Sequence, residues 1–169
     1  MITLFHGSNV GIGAIDLNRC HPDKDFGQGF YLTDIRKQAE YMALRRTRIM
    51  DEGLPTVTAY SFDEECLHDG SLNVKLFEFP CEEWALFVLA NRNASISGFK
   101  HDYDVVIGPA ANDRTMPVIS LFFAGVYTEE ETVKRLLPQK LKDQIVFKTE
   151  KSLQYLKFVE VVEVSKNDK

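Results

Sequence analysis

The segment FGQGFYLTD, residues 26–34, combines two glycines with a short apolar and aromatic run that ends at an aspartate. Its second half is typical of a β-strand, and the glycines suit a turn before that strand. A similar run, ITLFH at 2–6, lies upstream, and the glycine-rich stretch over 7–13 that follows it predicts a loop. The sequence therefore predicts two short strands, over 2–6 and 28–32, and places a histidine and a tyrosine at their ends.

Helical and strand-like segments interleave along the rest of the chain without the regular spacing of βαβ units. No repeat and no linker divides residues 1–169, so one α+β domain is expected. Predicted helices cover 34–51 (N-cap Thr33 or Asp34, stop Gly53), 81–92, 115–125 and the segment from the Thr128–Glu131 capping box to Pro138. Predicted strands cover 56–62, 72–77, 103–107, 144–148 and 157–164, with a loop at 93–102 and a helical turn at 150–155.

The composition is that of a folded globular domain, with 44% hydrophobic and 27% charged residues. A formal net charge of -5 argues against a general electrostatic grip on nucleic acid, although a nucleic acid remains possible as a transient substrate. Three scattered cysteines without CxxC spacing favour reduced thiols and no structural metal. With no leader-like or membrane-spanning segment apparent, we expect a cytoplasmic protein.

Two motifs in the first 45 residues, LFHGS at 4–8 and FGQGFYLTD at 26–34, resemble the NAD-binding half of the poly(ADP-ribose) polymerase branch of the ADP-ribosyltransferases. The resemblance implies an ADP-ribosyltransferase-like split β-sheet core with flanking helices. It also implies that NAD is bound as a substrate, with its nicotinamide–ribose bond as the point of attack.

The resemblance assigns roles to individual residues of the two motifs. His6 would hydrogen-bond the adenosine-side ribose, the backbone of Gly7 and the hydroxyl of Ser8 would hold the nicotinamide carboxamide, and Tyr31 would stack on the nicotinamide ring. A tyrosine face attracts a cationic ring by roughly 0.5–2 kcal/mol, which suits that role. Further motif residues expected at the NAD site are Phe26, Gly29 and, in QAEYM at 38–42, a second stacking tyrosine, Tyr41.

The third motif of the enzyme branch is a glutamate on a late strand, and the chain departs from it there. The segment DQIVFKTEKSLQYLKF at 143–158 resembles that strand, but Asp143 or Gln144 stands where the glutamate is expected. Side chains alternate across a strand, so only one of the two can enter the cleft. We expect Gln144 to orient the ribose 2'-hydroxyl, with Asp143 as its rival.

The arrangement of most of the chain resembles the DUF3990 family of uncharacterised bacterial proteins. The resemblance rests on HGS, on DFGxGFYLT, on Asn91-Arg92 after an apolar helix, on YDVVIGPAANDR at 103–114 and on DQIVFKTEKSL at 143–153. It implies a setting like a toxin–antitoxin pair, with a small antitoxin protein as a possible partner.

Several other polar residues have a structural interpretation, and some of them also have a functional one. Asn112 or Asp113 is either a helix N-cap or a cleft residue, and Arg114 could meet an NAD phosphate. Arg92 is expected to pair with a carboxylate. We interpret the basic run of Arg45, Arg46 and Arg48 as a solvent-exposed helix face and do not assign it to the NAD site.

The leading hypothesis is an NAD-dependent mono-ADP-ribosyltransferase that modifies a macromolecule, protein or nucleic acid, as a bacterial toxin or defence effector. An NAD glycohydrolase is the first alternative, since a related necrotising toxin-like group also carries glutamine at the third position. The second alternative is a module that binds NAD or ADP-ribose without chemistry, and the missing glutamate is its support.

Overall fold

The computed structural model describes residues 1–112, 114–138 and 141–165, which contain seven strands, six α-helices and two short 3₁₀ helices, Leu17–Arg19 and Glu64–Leu67. The strands are β1 (Ile2–Ser8), β2 (Phe30–Leu32), β3 (Thr56–Phe62), β4 (Val74–Leu76), β5 (Val105–Pro109), β6 (Asp143–Phe147) and β7 (Leu156–Glu163). The helices are α1 (Arg36–Met50), α2 (Glu82–Arg92), α3 (Ala94–Ser97), α4 (Met116–Phe123), α5 (Glu129–Leu136) and α6 (Glu150–Leu153). The fold is α+β, as expected.

The strands form two sheets that are joined by one backbone bridge. One sheet has the order β1-β3-β7 and the other has the order β2-β6-β5-β4, in which β4 and β5 are parallel and the other pairs antiparallel. A bridge connects the two sheets: the Phe5 amide donates to the Thr33 carbonyl at 2.8 Å, and the Thr33 amide donates to the Phe5 carbonyl at 3.0 Å. The middle of β1 and the end of β2 therefore lie next to each other.

Each face of the four-stranded sheet covers its own core. Phe147 and Phe30 point towards the three-stranded sheet, where Phe62 meets Phe147 edge to face with ring centroids 5.2 Å apart. Val146 points the other way and packs with Trp84 of α2. Because alternate residues of β6 serve different cores, the register of this strand fixes which side chains face each side.

Helix α1 lies directly on β1. Ala39 and Ala43 are buried against the strand, and a Cβ built on Gly7 would lie only 1.9 Å from the Ala39 carbonyl oxygen. Only a residue without a side chain allows a helix this close. Gly7 is therefore required by packing, whatever else it does.

Most predicted elements are present with ends shifted by one or two residues, and the capping box at Thr128 and Glu131 is confirmed. The prediction of a loop over 7–13 was wrong at its start, because β1 continues through Ser8 by pairing with β3. The loop at 93–102 contains the short helix α3. Helix α1 has Ile35 at its N-cap position, and the Thr33 hydroxyl accepts a hydrogen bond from the Ile35 amide in place of a regular cap.

No helix within the described ranges is both long and apolar enough to cross a membrane.

Candidate functional site

Tyr31 is held rigidly by the turn that precedes it. Its hydroxyl donates to the Gly27 carbonyl at 2.7 Å and accepts from the Phe26 amide at 3.0 Å. Burial is the main cause that raises the pKa of this phenol well above its usual value, so the hydroxyl stays protonated and keeps donating. The ring face attracts a cation, since the Lys24 ammonium lies 4.9 Å from the ring centroid.

His6 is joined to the same strand through its ring. Its Nδ1 lies 2.8 Å from the Tyr31 carbonyl oxygen, and its ring stacks on Phe30 with centroids 4.4 Å apart. Burial lowers the pKa of His6 to about 4, so the ring is neutral at pH 7. A carbonyl can only accept, so the single ring proton is on Nδ1 and Nε2 is an acceptor.

Gln144 and Asp143 lie on opposite faces of β6. Val146 pairs with Tyr31 across the strands, and Gln144 is two residues from Val146 on the same strand. Gln144 is therefore a diagonal neighbour of Tyr31 on one face of the sheet. Asp143 shares the other face with Phe147, where partial desolvation and then the Asp34 carboxylate raise its pKa.

The buried carboxylate of Asp25, close to Tyr31, accepts hydrogen bonds from three other segments of the chain. Its Oδ1 accepts from Arg92 Nε at 2.9 Å and from a terminal guanidinium nitrogen of Arg92 at 2.5 Å. Its Oδ2 accepts from the Ala111 amide at 2.8 Å and from Gln144 Nε2 at 3.1 Å. The expected pairing of Arg92 with a carboxylate is confirmed.

The turn before β2 is tied to β6 by Lys148. Its ammonium donates to the carbonyls of Phe26 and Gln28, each at 2.6 Å, and burial lowers its pKa to about 8. Gly27 has φ = +81°, and a Cβ there would lie 2.7 Å from Asn91 Oδ1. The conformation and the close approach both favour glycine at this position.

The remaining residues of the two motifs have packing roles in the structure. Phe26 is fully buried against Phe77 and Phe87, and a Cβ on Gly29 would lie 2.6 Å from Val146 Cγ1. The half-buried Ser8 donates from its hydroxyl to Asn9 Oδ1 at 3.3 Å. These contacts explain the residues without a ligand and leave their predicted NAD contacts as predictions.

The other two predicted NAD contacts are on the surface. Tyr41 is 53% exposed on α1, and Arg114 is exposed in the turn before α4. Asn112 Oδ1 accepts from the Arg114 and Thr115 amides at 2.9 and 3.2 Å, so it caps this turn. Asp113, the alternative cap, lies outside the described residues.

Sequence reasoning did not identify Asp25 or Lys148 as part of the site, although both adjoin quoted motifs. Asp25 is the first residue of DFGxGFYLT, and Lys148 stands in DQIVFKTEKSL. Asp25, Lys148, Arg92 and Ala111 come from the four DUF3990-like motifs that follow HGS. Their contacts place these motifs in one cluster. A charged residue immediately before a glycine-rich turn was the signal that could have revealed Asp25.

Two cavities lie outside this cluster. One of about 310 Å³ is lined by Tyr60 and Phe158, and one of about 530 Å³ lies beside Leu89, Phe99 and Phe122. Neither includes His6, Tyr31 or Gln144 in its lining. Across the described ranges, no three metal-binding side chains come close enough together to hold an ion.

One comparison with known proteins gave a match. A family model described as "Protein of unknown function (DUF3990)" matches residues 2–158, which include every residue of the cluster around Tyr31 and Asp25. No curated protein and no solved structure matches the chain.

Proposed function

The chain belongs to the DUF3990 family, and on that premise we propose that it binds NAD between His6, Tyr31 and Gln144 and breaks the nicotinamide–ribose bond. The ADP-ribosyltransferase-like interpretation of its two sheets is part of this proposal. Its main support is that three motif residues, distant in sequence, come from three neighbouring strands: Tyr31 and Gln144 are diagonal neighbours, and His6 bonds the Tyr31 carbonyl.

The proposed chemistry matches each group to one part of NAD. The Tyr31 face attracts the cationic nicotinamide ring, and His6 Nε2 accepts from a ribose hydroxyl. The bond between the ribose C1' and the nicotinamide nitrogen breaks, and its electron pair neutralises the ring. A nucleophilic atom of the acceptor then bonds C1' and loses its proton, which leaves ADP-ribose on the acceptor.

Gln144 is the proposed contact to the ribose 2'-hydroxyl as charge develops at C1'. An amide oxygen is a dipole without net charge, so it stabilises an oxocarbenium-like state less than a carboxylate does. Turnover should therefore be slow. The Lys24 ammonium, which lies over the Tyr31 ring, must move aside when the pyridinium stacks there.

The acceptor in this proposal is a protein or nucleic acid of the bacterial cytoplasm, and the biological role is that of a toxin or defence effector restrained by a small antitoxin. Hydrolysis of NAD by water and binding without chemistry are the alternatives. The absence of a carboxylate on the Tyr31 face of β6 is the observation that favours them.

One experiment separates the three functions. The protein is incubated with NAD labelled in its adenylate half, with and without cell lysate. Nicotinamide release with label on a macromolecule supports the transferase, and release with free labelled ADP-ribose supports the hydrolase. Binding measured by calorimetry without release supports the binding module, and the absence of binding and release contradicts the proposal.

A further inference from the structure

We propose that Asp25 is a positioning residue that fixes the Gln144 side-chain amide, so that the amide oxygen is the atom offered to a bound hydroxyl. This inference rests on the proposed function, because the hydroxyl in question belongs to the ribose that carries nicotinamide. It adds a defined direction to the hydrogen bond: Gln144 accepts and the ribose donates.

Every atom that bonds to the Asp25 carboxylate is a donor. Arg92 supplies two guanidinium nitrogens to Oδ1, and the Ala111 amide and Gln144 Nε2 supply one N–H each to Oδ2. The side chain is only 5% exposed, so water contributes little to its solvation. An ionised carboxylate has acceptor sites alone, and the amide must therefore face it with its NH₂ group.

The other end of the Gln144 amide is left for a ligand. No described residue hydrogen-bonds to its Oε1, and the side chain is half-buried on the face it shares with Tyr31. The terminal torsion of a free glutamine is broad, so an unanchored amide presents oxygen or NH₂ with similar ease. Asp25 removes that ambiguity, and Arg92 holds Asp25 in place.

The structure also suggests how to invert the arrangement. In Asp25→Asn, the oxygen of the new amide stays with Arg92, which supplies two donors, and the NH₂ group takes the place of Oδ2. This NH₂ group loses the bond from the Ala111 amide and donates to Gln144 Oε1, so the Gln144 NH₂ group then faces the ligand. In the double variant Asp25→Asn, Gln144→Glu, the asparagine donates to one carboxylate oxygen and leaves the other as an acceptor for the hydroxyl. The double variant therefore restores the chemistry that the single variant removes.

The test measures kcat and KM for nicotinamide release from NAD, with the melting temperature of each variant recorded. Asp25→Asn should lower kcat on the order of 100-fold with little change in KM, and the double variant should match or exceed the wild type, because a carboxylate stabilises the developing charge more than an amide does. Asp104→Asn, at a buried carboxylate that bonds Asn73 and Thr149 outside the site, is the matched control. An Asp25→Asn variant with normal kcat, or a folded double variant without recovery, would overturn the proposal.

A second measurement is independent of activity. In the wild-type protein, the side-chain NH₂ protons of Gln144 should be shifted by their carboxylate partner and should exchange slowly with water in NMR spectra. Asp25→Asn should move these signals and speed their exchange. If the wild type releases no nicotinamide, the proposed function fails, but this spectrum still decides the orientation of the Gln144 amide. Gln144 signals that do not change in Asp25→Asn would refute the proposed orientation.

Discussion

His6 donates from Nδ1 to the carbonyl oxygen of Tyr31 at 2.8 Å, so two of the three residues of the proposed NAD site are joined by a direct hydrogen bond. This bond fixes the histidine tautomer and leaves Nε2 as the acceptor nitrogen. The phenol of Tyr31 is fixed independently by its own turn. Both side chains are preorganised before a ligand arrives, which lowers the entropic cost of binding.

Calorimetry with NAD should report the loss of either residue. Tyr31→Ala removes the stacking ring and should weaken binding about tenfold, while His6→Ala removes one neutral hydrogen bond and should weaken it about fivefold. Tyr31→Phe keeps the ring and is the matched control for the hydroxyl ties. If both alanine variants are folded by circular dichroism and bind NAD like the wild type, the site assignment is wrong.

The stability of the protein should depend on the protonation of His6. The folded-state pKa of about 4 lies below the unfolded value of 6.5, so the unfolded chain binds more protons between these limits. The His6 contribution is fully present above pH 6.5 and is lost as the pH falls towards 4, by up to about 3 kcal/mol. Urea unfolding of wild type and His6→Gln over this range measures it, and identical pH dependence in both proteins would contradict it.

The two rivals on β6 should differ sharply in nicotinamide release. Gln144→Ala should abolish release because it removes the polar side chain on the Tyr31 face, whereas Asp143→Ala should leave most of it. The opposite pattern would move the role to Asp143. Full activity in both variants would remove β6 from the chemistry.

Lys148 should stabilise the turn that carries Tyr31. Lys148→Met loses both hydrogen bonds to the turn carbonyls, so the free energy of unfolding should fall by about 1–3 kcal/mol. Lys151→Met is the matched control, because its ammonium is exposed and 3.8 Å from Asp104. Equal effects of the two substitutions in urea unfolding would show that the turn does not depend on Lys148.

Alanine substitutions at two glycines should differ in their effect on stability, because only one of the two glycines is in close contact with another element. A methyl group on Gly7 collides with the α1 backbone, so Gly7→Ala should destabilise the protein by more than about 2 kcal/mol. A methyl group on Gly13 meets nothing within 4 Å, and Gly13→Ala should be close to neutral. Thermal unfolding of both variants tests this difference. Equal melting temperatures would show that α1 moves outward at no cost and would contradict the prediction.

Elements with a strong local signal were predictable from the sequence. The α5 capping box and the strand over 56–62 are examples, because side-chain pattern and turn residues agree there. The extension of β1 through Ser8 was not predictable, since it depends on pairing with β3 some 50 residues later in the chain. The glycines over 7–13 favoured a loop, but pairing with β3 extends the strand.

The site was predictable only in part, for the same reason. Alternation along β6 correctly grouped Gln144 with Val146 and Lys148, but the pairing of Tyr31 with Val146 is information that only the fold supplies. Asp25 was not predicted as a site residue. Its partners Arg92, Ala111 and Gln144 lie 67, 86 and 119 residues further on, beyond the reach of any sequence window.

The position of β6 in its sheet has a consequence for synthesis of the protein. This strand lies between β2 and β5 yet is made after both, so β2 has no hydrogen-bonded partner within its sheet until residues 143–147 leave the ribosome. The Tyr31 face and the Gln144 amide therefore meet only after β6 has been synthesised, through contacts that are distant in sequence and slow to form. A nascent chain that lacks β6 therefore cannot assemble the proposed NAD site.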